Sequence, residues 1–496
     1  MAALLWLGLA LSALLAWVWV HRPKRPANFP PGPPCVLVFG SLSATLELFT
    51  MGVRQALRKR RRLYGDINGA VSPTGLGIVN LCSHELIREA SAMPELSGRP
   101  EILPLLVRSY MKKMGIIFND GAVWREQRRF ALRHLRDLGL GRKDMEEGIL
   151  GEFEHLRRDM ELLEGRPLQV LGYFNLTALN ILWRVVASTR IDPSDPEARL
   201  YVQLVKEFFE MIRPTSPLGI APWLRHIVPE WSGFSALERQ REVINATFLR
   251  LLAEHRATLD RDHPRDLMDH FLIEMETTDA AERGFTELNL AVTGMDLFIA
   301  GMETTSTQLS WALLYMASHP AAQRRVQAEV DRELGGRRPS GADRARLPLT
   351  DATLMEVMRR ATVLPRAVPH AAARDCHLAG YSLPRGTVVL MDLDAVHMDA
   401  NHWGDPDKFR PERFLREDGS VRRDEHLMPF GVGRRFCLGE PLARAELLLL
   451  FVSLLQHFTF EPVEGETLDL DGNYGALLPP HPFRLICRPR AAQPQQ

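Results

Sequence analysis

The stretch FGVGRRFCLG, residues 430–439, sets one cysteine, Cys437, among glycines, aromatics and arginines just before the apolar run that starts at Pro441. A lone cysteine is most often a small buried hydrophobe. Its neighbours here argue for more. Gly433 and Gly439 permit close backbone approach to something flat. A helix beginning just after the sulfur favours a thiolate over a thiol at its amino end. Arg435, two residues away, supplies a cation. A thiolate, a planar ligand and a cation for that ligand's acidic edge together describe haem held by sulfur.

Around that stretch lie 496 residues, 46% hydrophobic and 25% charged, the make-up of a compact protein with a large core. The 61 basic residues balance the 61 acidic ones, so nothing points to nucleic acid as a partner. The 5 cysteines, at positions 35, 82, 376, 437 and 487, are odd in number and scattered. That pattern argues against a disulfide scaffold or a CxxC metal clip and suits a reducing compartment.

ALLWLGLALSALLAWVWV, residues 3–20, carries no charge and is nearly long enough to span a bilayer. Arg22, Lys24 and Arg25 follow it directly, without a small-residue cleavage site. This predicts a retained anchor over 1–21, a basic, proline-rich linker over 22–35 and a single large domain over 36–496, facing the cytoplasm by the positive-inside rule. A cleaved signal peptide is the alternative. The basic run Arg58 to Arg62 suits either lipid headgroups or a solvated helix face. EEGILGEFEHLRRDMELLEG, ALERQREVINATFLRLLAEHRATL and AAQRRVQAEVDREL repeat apolar residues at helical spacing. GYSLPRGTVVLMDLDAV reads as strand and turn, so the expected fold is mainly α with a small β-sheet region.

The cysteine stretch also resembles the haem signature of the cytochrome P-450 monooxygenases, Phe-x-x-Gly-x-Arg-x-Cys-x-Gly, matched by Phe430, Gly433, Arg435, Cys437 and Gly439. The resemblance covers the chain after the anchor and implies the P-450 fold, haem b and iron held by Cys437. Three further motifs follow the family's order. Glu356 and Arg359 share a helix face as ExxR, and Arg413 of PERF completes a structural lock. AGMETT, residues 300–305, matches the oxygen-activating motif, which implies that Thr304 donates and Glu303 resupplies protons beside a helix loosened at Gly301. Without the resemblance, a threonine there simply bonds its own helix backbone. The haem propionates would meet Arg99, Trp124, Arg128, His370 and Arg435, although Arg99 also fits the surface and His370 a plain turn. Leu96 and Asp392 depart from the family's usual residues.

The resemblance further implies a membrane-bound enzyme of the endoplasmic reticulum. It would take electrons from an NADPH-cytochrome reductase, with a small haem protein as a possible second donor, and oxidise a lipophilic substrate. Arg128, Arg129, Arg434 and Arg444 would suit an acidic reductase. By position in the family pattern the pocket comprises Met111, Ile116, Phe208, Leu297, Phe298, Ala300, Val363, Leu364, Val368 and Leu477, with Arg366 available for a substrate carboxylate, a propionate or solvent. The segment DGAVWREQRRFALRHLRDLGLGR looks most like arthropod hormone-pathway members, so epoxidation of a farnesoate-type sesquiterpenoid is the sharpest expectation. A steroid, ecdysteroid or foreign-compound hydroxylase is the alternative. A non-catalytic haem sensor would not need Glu303 and Thr304, and a reductase-independent peroxide isomerase tends to depart from that pair.

Overall fold

The computed structural model describes residues 23–36, 39–137 and 143–490, together with Trp6. The expected anchor over 1–21 lies outside the described residues except for Trp6, and among the described residues no helix is long and apolar enough to cross a membrane.

Eight helices carry or support the site: α1 (His84–Ala92), α2 (Gly121–Asp137), α3 (Asn175–Ala187), α4 (Phe234–Ala257), α5 (Glu287–Ser318), α6 (Pro348–Arg360), α7 (Ala400–Trp403) and α8 (Glu440–His457). α5 and α8 bury side chains around almost their whole circumference, as expected of helices without a polar face. They pack on each other, and α5 also lies along α3 and α4. The three amphipathic runs form helices over Lys143–Glu161, Phe234–Ala257 and Pro320–Leu334. Each turns its apolar stripe to this core and most of its charged residues outward, Glu329 being a buried exception that accepts bonds from Leu349 and Thr350.

The β structure is small, as expected. One sheet has the order β1 (Ile67–Val71), β2 (Gly77–Leu81), β7 (Val388–Met391), β4 (His370–Ala371), and a second has β3 (Pro167–Gln169), β9 (Arg484–Pro489), β8 (Phe458–Pro462). The run GYSLPRGTVVLMDLDAV supplies β6 (Tyr381–Leu383), which pairs with β5 (Cys376–Leu378), and β7. These short strands place site residues. β4 pairs with β7, putting His370 opposite Val389, and a bridge from Gly98 to Ala371 sets Arg99 beside His370.

The basic run 58–62 is solvated only in part. Arg60 and Arg61 are held by Glu47, Asp66 and Asp399, whereas Arg58 and Arg62 are exposed. All five cysteines are free thiols.

Candidate active site

Cys437 sits between the short 3-10 turn Gly433–Arg435 and the start of α8. Gly433 has a left-handed φ of 74°, and a Cβ there would lie 2.5 Å from the Ser91 carbonyl oxygen. Only glycine lets the cysteine turn close on α1. Arg128 of α2 donates to the Phe436 carbonyl and so fixes the residue before the sulfur. The thiol is accessible, yet burial among protein atoms is the strongest influence on it and pushes its pKa up. The backbone N–H groups of Gly439 and Glu440 and the Arg128 cation oppose that rise, as expected for a thiol at a helix amino end.

Beside the cysteine, three guanidiniums share a buried patch. Arg99 donates to the carbonyls of Ile117, Val368 and Pro369 at 2.8, 2.8 and 2.9 Å. Arg435 donates to Ser97 and Asn119 carbonyls at 2.7 to 3.0 Å, and its Cζ lies 3.6 Å from the centre of the Trp124 ring. Burial, then mutual repulsion, pushes Arg99 down to about 9 and Arg435 to about 8. A guanidinium keeps its proton in a protein, so these depressions express the electrostatic cost of crowded cations, which an anion would relieve. His370 is pushed down to about 3 by burial and by Arg99. Its Nδ1 is 2.7 Å from the Leu96 carbonyl, so that nitrogen carries the proton and Nε2 keeps its lone pair. Arg435 Nη1 and Trp124 Nε1 are buried donors without a hydrogen-bond partner.

This donor set fits haem. Unused N–H groups and compressed cations meet the need of two propionates, and Cys437 supplies the axial sulfur. Of the five expected propionate residues, Arg99, Trp124, His370 and Arg435 are brought together by these contacts. Arg128 is joined to the set by its charge and a 5.9 Å approach to Trp124, with one of its N–H groups donating to Phe436.

The structural lock is a closed network. Arg359 binds Glu356 through two 2.8 Å bonds, with both side chains fully buried. Arg413 donates to the same carboxylate at 3.2 Å and to Asp405 at 2.6 Å. Spare N–H groups of both arginines reach the carbonyls of His397, Trp403 and Pro406.

On α5, Glu303 accepts a 3.0 Å bond from Asn175 Nδ2 of α3, and burial raises its pKa. Thr304 Oγ1 donates 2.7 Å to the Ala300 carbonyl. The expected loosening at Gly301 is not observed, since residues 287–318 form one continuous helix. The glycine instead serves packing, because a Cβ there would stand 2.6 Å from Leu182 Cδ2.

The pocket residues separate. Ile116, Val363 and Leu477 are buried, and Leu364 and Val368 partly so. Val363 and Leu478 share a 2.8 Å backbone bond, which sets Leu477 beside that turn. Phe298 packs edge-on against Trp183 and Tyr201, and Leu297 faces a small apolar cavity with Phe130, Val186, Phe248 and Phe271. Phe208 packs against Phe209, and Met111 is 52% exposed. Arg366 reaches the Gly475 carbonyl at 3.5 Å and sits in the field of Asp392 and Tyr474.

One part of the site went unread in the sequence. Asp296 accepts bonds from Arg108 and from the backbone N–H of Ile116 and Ile117 at 2.7 and 2.9 Å, tying the loop after residue 108 to α5. A single carboxylate within the apolar stretch 290–302 was the available signal.

Comparison with known proteins agrees with this geometry. The family model described as Cytochrome P450 matches residues 30–487. Cytochrome P450 2J2 of Homo sapiens is 36% identical over 492 residues, covering 97% of this chain and 95% of the relative. Cytochrome P450 2U1 of Mus musculus is 35% identical over 504 residues, covering 97% and 94%. Cytochrome P450 2L1 of Panulirus argus is 33% identical over 480 residues, covering 94% and 96%. A match of that extent, together with a cysteine recess flanked by a cationic cradle, places the chain in the cytochrome P450 family, with haem as its cofactor and the Cys437 thiolate as the axial ligand.

Proposed function

We propose that this monooxygenase oxidises a small lipophilic substrate, with protons supplied through Glu303 and Thr304. Bound haem supplies dioxygen activation, and the Cys437 thiolate donates electron density to the iron. The carrying observation is the Glu303 carboxyl, partly buried, raised in pKa by that burial and held by Asn175 one residue before Thr304. A carboxyl of that kind holds a proton nearer neutral pH than an exposed one and can pass it on. Thr304 donates by turning its hydroxyl from Ala300 toward the reacting oxygen. In the reconstituted system Thr304→Ala is expected to go on consuming NADPH while product formed per NADPH falls, and Thr304→Ser to restore most of the coupling. Unchanged coupling in Thr304→Ala overturns the role.

Electrons reach the haem from an NADPH-cytochrome reductase, with a small haem protein as a second donor. Arg434 and the 65% exposed Arg129 are the residues best placed to meet it, since Arg444 is held by Glu440 at 2.7 Å. We place the enzyme on the cytoplasmic face of the endoplasmic reticulum, anchored by residues 1–21 and joined through 22–35 to the domain over 36–496. Phe39, Leu46 and Phe49, together with Trp223, Ile227 and Trp231, are large apolar side chains more than half exposed, which favours contact with lipid.

For substrate, the apolar set Ile116, Ala300, Val363 and Leu477 suits a sesquiterpenoid of the farnesoate type, epoxidised at a C=C bond. Hydroxylation of a steroid, an ecdysteroid or a foreign compound is the second reading, which the same apolar set suits. Arg366 belongs to the charge cluster around Asp392, so the methyl ester should be turned over at least as well as farnesoic acid. Product analysis with reductase decides, and no epoxide from either compound removes this substrate.

A further inference from the structure

A second group of metal-ligating side chains lies outside the haem site. His402 of α7 points Nε2 at Asp424, 3.0 Å from each carboxylate oxygen. His426 brings Nδ1 to 3.5 Å from the same carboxylate, and its ring stacks on His402 with centroids 3.6 Å apart. His84, the first residue of α1, stacks on His426 at 4.0 Å and is largely buried, with an Nε2 that has no hydrogen-bond partner. His402, Asp424 and His426, from two separate segments, thus form one group, and His84 adjoins it through its stack on His426.

Repulsion argues against this group as a plain ion-pair cluster. Stacked imidazoles repel once charged, and the three rings here lie 3.6 and 4.0 Å apart between centroids. Neutral imidazoles offer lone pairs, which is the form a metal needs. The turn that carries Asp424 and His426 is also set in advance. His397 is fully buried, is pushed down to about 3 by burial and Arg359, and accepts the Met428 N–H at 2.9 Å while Nδ1 meets Thr362. The His426 N–H itself donates to Asp424 at 3.0 Å. Against binding, Arg422 lies 3.5 Å from Asp424 and competes for the carboxylate.

We propose that His402, Asp424 and His426 bind a divalent transition metal, zinc being the representative ion, with the fourth position filled by water. Their ligand atoms already lie within 4.8 Å of one another. A tetrahedral zinc with bonds of about 2.0–2.1 Å sets its donors roughly 3.3 Å apart. The exposed His402 ring closes that gap by turning out of the stack. Two imidazoles with one carboxylate select zinc, copper or nickel over magnesium or calcium, which prefer oxygen donors. The ion would tie α7 and the turn over 424–428 together beside α1, whose other end abuts the cysteine turn at Gly433.

The test is zinc uptake by the full-length holoenzyme, stripped with a chelator and titrated near neutral pH against a chromophoric zinc chelator. About one site per chain is expected, lost or weakened roughly a hundredfold in His402→Ala, Asp424→Ala and His426→Ala, all with normal haem content. Glu85→Gln, in the neighbouring group with His84 and His426, should change affinity by less than about threefold. Arg422→Ala should tighten binding by removing the competing cation. Zinc bound equally by wild type and the three ligand variants, or no uptake at about 10 μM free zinc, overturns the site.

Discussion

Glu356, Arg359 and Arg413 make a buried cluster in which two guanidiniums meet two carboxylates, Glu356 and Asp405, and their remaining N–H groups end on carbonyl oxygens. Arg99, Arg128 and Arg435 make another, in which three guanidiniums meet carbonyl oxygens only, with no carboxylate in ion-pair range among the described residues. The first network is complete within the chain. The second keeps two buried N–H groups unused, at Arg435 and Trp124, and crowds like charges. Arginines of the same family motif set therefore stand in two different charge environments. On the proposed reading, the cluster that balances its own charge would hold the fold, and the one that does not would receive the anionic edge of the haem.

The largest effect should come from upsetting the balanced cluster. Glu356→Gln keeps the shape but leaves Arg359 without a carboxylate in a fully buried place and Arg413 with Asp405 alone, and should destabilise the protein by about 3–5 kcal/mol. Urea unfolding of the apoprotein measures it, and a loss under about 1 kcal/mol would erase the distinction between the clusters. In the other cluster the effect moves from stability to ligand. Arg435→Gln gives up bonds to Ser97 and Asn119 but relieves repulsion, so the apoprotein should change by only about 1 kcal/mol, the net worth of a hydrogen bond. Haem affinity, read by transfer to an acceptor apoprotein, should fall roughly ten- to a hundredfold, the worth of a charge-assisted hydrogen bond. An Arg435→Gln protein that unfolds as readily as Glu356→Gln but holds haem normally would reverse the assignment.

The smallest effect is a pH slope. The folded pKa of His370, about 3, lies below its ordinary 6.5, so between those values the unfolded chain binds more protons and apoprotein stability rises with pH. The slope is at most about 1.4 kcal/mol per pH unit. His370→Gln should flatten it, and bound haem should too, because a propionate beside the ring favours its proton. An apoprotein slope identical in wild type and His370→Gln would show that Arg99 and burial do not act on this ring.

The two clusters also differ in how plainly they were written in the chain. ExxR, PERF and the cysteine stretch are short spacings in one turn or helix, so Glu356, Arg359 and Cys437 follow from local geometry. Arg99 meets His370 only through the bridge between Gly98 and Ala371, which no local pattern announces, and the family resemblance alone linked them. The mainly α fold and the long amphipathic helices were legible for the same local reason. The facing of α5 was not. Its apolar residues surround the axis, so periodicity cannot tell that Phe298 turns toward Trp183 or Leu297 toward Phe271. Gly301 was read as a weak point in the helix, but its lost side chain makes room for Leu182.

The central claim, that the cationic cradle and Cys437 together hold a thiolate-ligated haem, is tested most directly by the absorption of the reduced carbon-monoxide complex. Wild-type protein is predicted to give the spectrum of a thiolate-ligated haem. Cys437→Ser is predicted to lose that spectrum and the monooxygenase activity, because a serine hydroxyl is not ionised near neutral pH. A Cys437→Ser protein that keeps the thiolate-type spectrum would contradict the account.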